Sequence, residues 1–254
     1  MSDFVNTVDS IGDEALANSI IDRSITEILD NYATSIGKSA FSGCSALTTV
    51  GFSAVTSIAS SAFEGCSSLA TVDFPALTSI GSNAFVRCSA LTAVRFPAVT
   101  SAGNSAFYGC SKLTTLDFPA LTSIGEYAFW ECSALTTVDF PVLTNVKDNA
   151  FRNCSKLATA DFPVATRIGG YAFRDCSVLR TLILRSATMA LLNGVSAFAG
   201  TIIQSGSGHI YVPAALVDSY KAATNWSTFA AQFRSLEDYT VDGTTTGALD
   251  ASKI

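Results

Sequence analysis

The sequence predicts an α/β repeat solenoid, a superhelix with a parallel sheet on its concave face and short helical turns opposite. Two observations carry this. Cys44, Cys66, Cys88, Cys110, Cys132, Cys154 and Cys176 follow one another at intervals of 22 residues. An Ala-Phe pair precedes each cysteine at the same distance, ending in Phe41, Phe63, Phe85, Phe107, Phe129, Phe151 and Phe173. A fixed period of this size is the mark of stacked units, none of which can bury its apolar face alone.

One unit reads A-F-x-x-C-S-x-L-x-x-V-x-F-P-x-L-T-x-I-G-x-x. Within Leu113-Thr114-Thr115-Leu116-Asp117-Phe118 the apolar residues alternate at the period of a half-buried strand. Pro75, Pro97, Pro119, Pro141 and Pro163 end that strand, because proline has no N–H for the ladder. Helical spacing in A-F-x-x-C predicts one helical turn, and L-T-x-I-G a second short extended piece. Thr56, Thr78, Thr100, Thr122, Thr144 and Thr166 form a column at a bend.

The L-x-x-L-x-L strand and the period fit leucine-rich repeats, whose units run ~20–29 residues. The I-G-x-x-A-F-x-x-C-S-x-L unit resembles the BspA-like leucine-rich repeats of bacterial and some protist surface proteins, over roughly residues 25 to 200. The usual Asn after the strand is missing, and Val55, Leu77 or Val99 stands nearby. This resemblance implies a binding surface, attachment to hosts or other cells, and a cell-surface or extracellular location. It does not imply one ligand.

The ends need caps, since an end rung exposes its core. Residues 1–36 read as an N-terminal helix (Asp13 to Ile21) and a degenerate capping rung. In that rung Ile25, Ile28 and Ile36 fall in register with Leu47, Val50 and Ile58. The solenoid proper spans 37–200. A C-terminal cap spans 201–239, with Ile210 to Val212 as a last strand, Pro213 at a helix N1 position, and Trp226, Phe229 and Phe233 as a lid. A loose tail covers 240–254.

Composition excludes several functions. The formal net charge of −6 repels a phosphate backbone, so nucleic acid is not an expected partner. No apolar run is long enough to insert in a membrane. The N-terminus lacks the basic and apolar regions of a secretory signal. The single histidine, His209, has no placed partner, and no phosphate loop, dinucleotide fingerprint or nucleophile elbow occurs. No enzyme activity and no cofactor are expected. Nor is a metal: the cysteines form a straight column, not a tetrahedron, and read as buried thiols.

Two sets of residues remain as ligand-binding candidates. The outward strand positions give the column Gly51, Asp73, Arg95, Asp117, Asp139, Asp161, Ile183, beside Thr49, Thr71, Ala93, Thr115, Thr137, Thr159, Thr181. Asp73, Arg95, Asp117, Asp139 and Asp161 can bond sugar hydroxyls or attract a cationic partner. Tyr108, Trp130, Tyr127 and Tyr171 lie outside the inward pattern on the turn side, where aromatic rings stack on sugars or anchor interfaces. The expected function is a binding module for a protein or glycan. The alternative is a structural or receptor-binding accessory of a larger assembly such as a phage particle.

Overall fold

The computed structural model describes residues 25–241, 244 and 245. The expected helix from Asp13 to Ile21 and most of the expected tail lie outside these residues. The chain winds as a solenoid of short parallel strands, alternating between two sides. In chain order they are β1 (Glu27–Asp30), β2 (Ser35–Ile36), β3 (Thr49–Phe52), β4 (Ser57–Ile58), β5 (Thr71–Asp73), β6 (Ser79–Ile80), β7 (Ala93–Arg95), β8 (Ser101–Ala102) and β9 (Thr115–Asp117). They continue as β10 (Ser123–Ile124), β11 (Thr137–Asp139), β12 (Asn145–Val146), β13 (Thr159–Asp161), β14 (Arg167–Ile168), β15 (Thr181–Ile183), β16 (Leu191–Leu192), β17 (His209–Val212) and β18 (Phe233–Ser235). Odd-numbered strands stand on the side called here the strand face.

Register follows the period. Ile28 faces Val50, Ile36 faces Ile58, and Val138 faces Ala160. The core is a set of side-chain columns running through the stack. The turn-side phenylalanines, from Phe41 to Phe198, stack with centroids 5.1–5.7 Å apart and planes within 15°. Offset stacking at this spacing suits the ring quadrupole. A second column, Phe52 to Phe162, lies under the strand face and is less regular. Its centroids are 5.5–6.4 Å apart and its interplanar angles run from 6° to 68°.

The A-F-x-x-C segments are not helical turns. Each is a chain of tight turns bracketed by left-handed residues, as with Ser39 at φ 53° and Gly43 at φ 75°. These residues turn alternate amides outward. Phe41 N donates to Ala62 O of the next rung at 2.8 Å, while Cys44 N donates to Phe41 O of its own at 3.1 Å. Every rung from Phe41 to Phe151 repeats the first of these bonds at 2.8 Å, giving the turn edge an unbroken ladder.

The other ladders are interrupted. On the strand face β1-β3-β5, β7-β9 and β11-β13-β15-β17-β18 form separate sheets, so β5 and β7 are unpaired, as are β9 and β11. On the opposite side β2-β4-β6-β8-β10 and β12-β14-β16 are separate. There Lys147 takes the slot of Gly81, Gly103, Gly125 and Gly169, where a Cβ would meet the preceding rung at 2.3–2.6 Å. Ala59 fills that slot at the solenoid's end with its bond to Ile36 O intact.

Beyond Ile183 the pattern departs from expectation in two places. The strand at Ile210–Val212 is not the last, since β18 pairs with β17. Pro213 is not at N1 but caps a 3₁₀ turn, Ala214–Leu216, ahead of α1 (Val217–Ala222). Trp226 and Phe229 close over Phe198, at 6.0 and 5.2 Å between rings. Trp226 Nε1 donates to Ala190 O at 2.7 Å, and Ala190 N donates to the Tyr220 hydroxyl at 2.7 Å, so the buried polar atoms of these rings are satisfied.

Candidate functional site

The strand face collects the acidic column. Register aligns Gly51 with Asp73, Arg95 with Asp117, and Asp139 with Asp161. Asp73, Arg95 and Asp139 are exposed, and Asp117 is half-buried. Arg95 Nε sits 3.0 Å from Asp117 Oδ2, so one acid of the strip is already neutralised by its neighbour. That pair is mostly wet, and exposed pairs contribute ~1 kcal/mol or less.

Asp161 departs from the expected strip. It is 9% exposed and is gripped by Arg185 from the loop after β15, with Arg185 Nε donating to Oδ1 at 3.1 Å and Nη2 to Oδ2. Burial raises its carboxyl above the usual range, Arg185 opposes the shift, and the charge of Asp139 adds to it. Ile183, the next outward position, is also buried. The open strip is therefore Asp73, Arg95, Asp117 and Asp139. Tyr239 packs edge-on against Tyr211 at 4.8 Å and its hydroxyl feels the charge of Asp161, so the chain after β18 lies over this end.

The aromatic candidates gather on the turn edge. Tyr108 stacks on Trp130 at 4.9 Å, and Tyr127 leans against Trp130 at 5.3 Å. All three are half-buried, whereas Tyr171 is exposed and stands apart from them. Arginines complete the row: Arg87 over Tyr108 at 5.9 Å, Arg152 over Trp130 at 5.5 Å, and Arg174 over Tyr171 at 5.5 Å. Cation–π attraction favours each. Tyr127 and Tyr171 hold left-handed backbones at φ 60° and 57°, an uncommon state for a bulky residue. The Trp130 Nε1 atom is buried without a hydrogen-bond partner among the described residues.

Sequence reasoning missed the arginines and Arg185. Arg152 and Arg174 continue the slot of Tyr108 and Trp130 at the same period, so the repeat itself held that signal. Arg185 lies in a stretch where the period breaks, and nothing in the pattern points from it to Asp161.

The cysteines offer no reactive site. All seven are buried and none is in a disulfide, and the thiols from Cys66 to Cys176 donate to a phenylalanine carbonyl of the preceding rung at 3.0–3.2 Å. Burial pushes the thiols of Cys66, Cys88, Cys110, Cys132 and Cys154 up, disfavouring the nucleophilic thiolate. Among the described residues no group of His, Cys, Asp and Glu is placed to hold a metal. His209 is half-buried near Arg234, and both burial and that cation lower its pKa.

A parallel solenoid of this period, with Phe, Leu and Cys columns inside, defines a leucine-rich-repeat protein. The sequence profile described as "BspA type Leucine rich repeat region" matches in six copies, over residues 2–114 and 100–207. The chain belongs to this family. Among solved structures it is similar to the leucine-rich repeat protein TpLRR of T. pallidum, with 26% identity and a TM-score of 0.52 over 68% of this chain and 79% of that one. A leucine-rich repeat protein from Bacteroides ovatus matches with 20% identity and a TM-score of 0.47, over 75% of this chain and 63% of that one. The pneumococcal vaccine antigen PcpA matches with 13% identity and a TM-score of 0.35, over 84% and 66%. No curated protein matches the chain.

Proposed function

We propose that this chain is a non-catalytic binding module that recognises a protein or a glycan through its strand face. The observation that carries this reading is the open strip Asp73, Arg95, Asp117 and Asp139, which occupy the same outward position on β5, β7, β9 and β11, with Arg95 and Asp117 paired in register and threonines alongside. Carboxylates in a row beside hydroxyls can bond sugar hydroxyls or meet a basic protein surface, and a repeat-built face presents them over an extended area. Membership in a family of leucine-rich repeats agrees with such a role. The Tyr108, Trp130, Tyr127 and Tyr171 row is the second candidate surface. In this reading the strand face is the concave one. Residues 1–36 and 201–239 cap the solenoid of 37–200, and residues 240–254 are a tail.

The test is binding of the purified protein to arrays of glycans and matrix proteins, with and without calcium. A specific hit weakened at least ~10-fold by Asp139→Lys, about 1.4 kcal/mol, supports recognition through the strip. A hit that ignores Asp139→Lys but is lost in Tyr171→Ala moves the site to the turn edge. No hit at high protein concentration favours the component of a larger assembly, with partner chains in place of a free ligand.

A further inference from the structure

We propose that the hollow over β5, β7 and β9 binds a single neutral pyranose unit of a glycan; this rests on reading the strand face as the binding surface. The hollow is an open depression of about 310 Å³, with Ala70, Val72, Ala93 and Val94 on its floor and Thr71, Thr92, Thr115, Arg95 and Asp117 around it. Its origin lies in the repeat. The column Thr48, Ala70, Thr92, Thr114, Thr136, Ala158 lacks threonine at 70, and the next column lacks it at Ala93, one rung on. Two missing threonines on neighbouring rungs uncover the aliphatic layer beneath, so Val72, inward like the buried Val50, is only half-buried. Ala158 has Thr181 in the corresponding place on its next rung, and there the inward Ala160 and Leu182 are fully buried.

The rim holds donors and acceptors side by side. Arg95 Nε lies 3.0 Å from Asp117 Oδ2, and the two side chains stay 81% and 45% exposed, so guanidinium N–H groups stand in solvent next to a carboxylate that accepts further bonds. Because the two are already paired, a ligand meets them in a set orientation and strips no lone charge of its water. The amides of Thr92 and Ala93 add donors. Neither bonds to Ala70, in the way that Thr114 and Thr115 bond to Thr92 O at 2.8 and 3.4 Å, and both belong to exposed residues.

A pyranose matches this combination. Its ring has an apolar C–H face for the alanine and valine floor, and hydroxyls around its edge that both donate to Asp117 and accept from Arg95. An aliphatic side chain of a protein would cover the floor but leave the rim unmatched. Charge sets the class of sugar. Asp73 on β5 and Asp139 on β11 stand exposed on either side of the neutralised Arg95–Asp117 pair, so an anionic sugar is repelled. An open site with few contacts binds weakly, with a Kd on the order of 1–10 mM.

The test is titration of the ¹⁵N-labelled full chain to ~100 mM with methyl glycosides of glucose, galactose, mannose and N-acetylglucosamine, and with methyl glucuronide, read by amide shifts. At least one neutral glycoside is expected to move the amides of Val72, Thr92, Ala93 and Thr115 together, with the glucuronide at least ~10-fold weaker. Ala93→Tyr, an exposed change that fills the hollow, should abolish these shifts, while Thr159→Tyr, in the same column over a paired ladder, should not. The proposal is overturned if no neutral glycoside moves these amides, if the shifts survive Ala93→Tyr, if Thr159→Tyr removes them equally, or if the glucuronide binds as tightly as the neutral sugars. A ligand from the arrays that Asp139→Lys weakens and Ala93→Tyr does not overturns the hollow and keeps the strand-face reading. The absence of any strand-face ligand removes both.

Discussion

The two phenylalanine columns of this solenoid run side by side through the same core, yet they behave differently. On the turn side the rings are stacked in nearly parallel planes from Phe41 to Phe198, and the backbone beside them is bonded from rung to rung without a gap. Under the strand face the rings tilt, and their two longest separations, 6.2 Å at Phe74–Phe96 and 6.4 Å at Phe118–Phe140, fall at the two seams between β5 and β7 and between β9 and β11. The turn side therefore carries the order of the stack from rung to rung, and the strand side is left with spare hydrogen-bonding capacity at these two seams. Binding surfaces are drawn from such less-bonded regions, because a ligand can add only what the fold has not already used.

The comparison sharpens most in the columns themselves. Phe107→Ala should cost ~4 kcal/mol, since its ring is fully buried between close parallel neighbours. Phe118→Ala, beside a seam, should cost less, ~3 kcal/mol. Equal losses in urea unfolding would mean that the strand side is packed as tightly as the turn side. The thiols report on the same order. All seven cysteines should react with an aromatic disulfide reagent at least ~10-fold more slowly in the native state than in denaturant, as buried thiols do.

Next comes Arg185→Ala, which strips the buried Asp161 carboxylate of its partner and should cost ~2 kcal/mol. Because Asp161 holds its proton more tightly when folded than unfolded, stability should fall as pH rises between the usual carboxylate value and the raised one. Asp161→Asn should remove that slope, and a slope that persists would place its origin elsewhere. Smallest is Arg95→Ala. Its ion pair with Asp117 is exposed, so the change should alter stability by less than ~1 kcal/mol while changing the charge of the strip.

Much of this was legible in the sequence because the repeat imposes one register throughout. The inward Phe, Leu and Cys positions, the parallel pairing and the outward Asp73, Arg95, Asp117 and Asp139 all follow from the period. The turns were not legible. Ser39, Tyr127 or Asn149 takes a left-handed backbone only because alternate amides bond to the neighbouring rung, and helical spacing of Ala, Phe and Cys looks the same either way. The burial of Asp161 was hidden for a different reason: Arg185 reaches it from a stretch outside the period. The seams were hidden as well. The pattern of β11 runs through unchanged, and at β7 only Ala93 and Arg95 depart from it.

Amide hydrogen exchange on the free protein tests the contrast between the two sides most directly. The turn amides of Phe63, Phe85, Phe107 and Phe129 should be among the slowest in the molecule. Those of Thr92, Ala93, Thr136 and Thr137 should exchange at least ~100-fold faster than the equivalent Thr114, Thr115, Ala158 and Thr159, a gap of about 2.7 kcal/mol in local opening. Equal protection of the two sets would mean that the strand ladder is continuous and the open seams do not exist in solution.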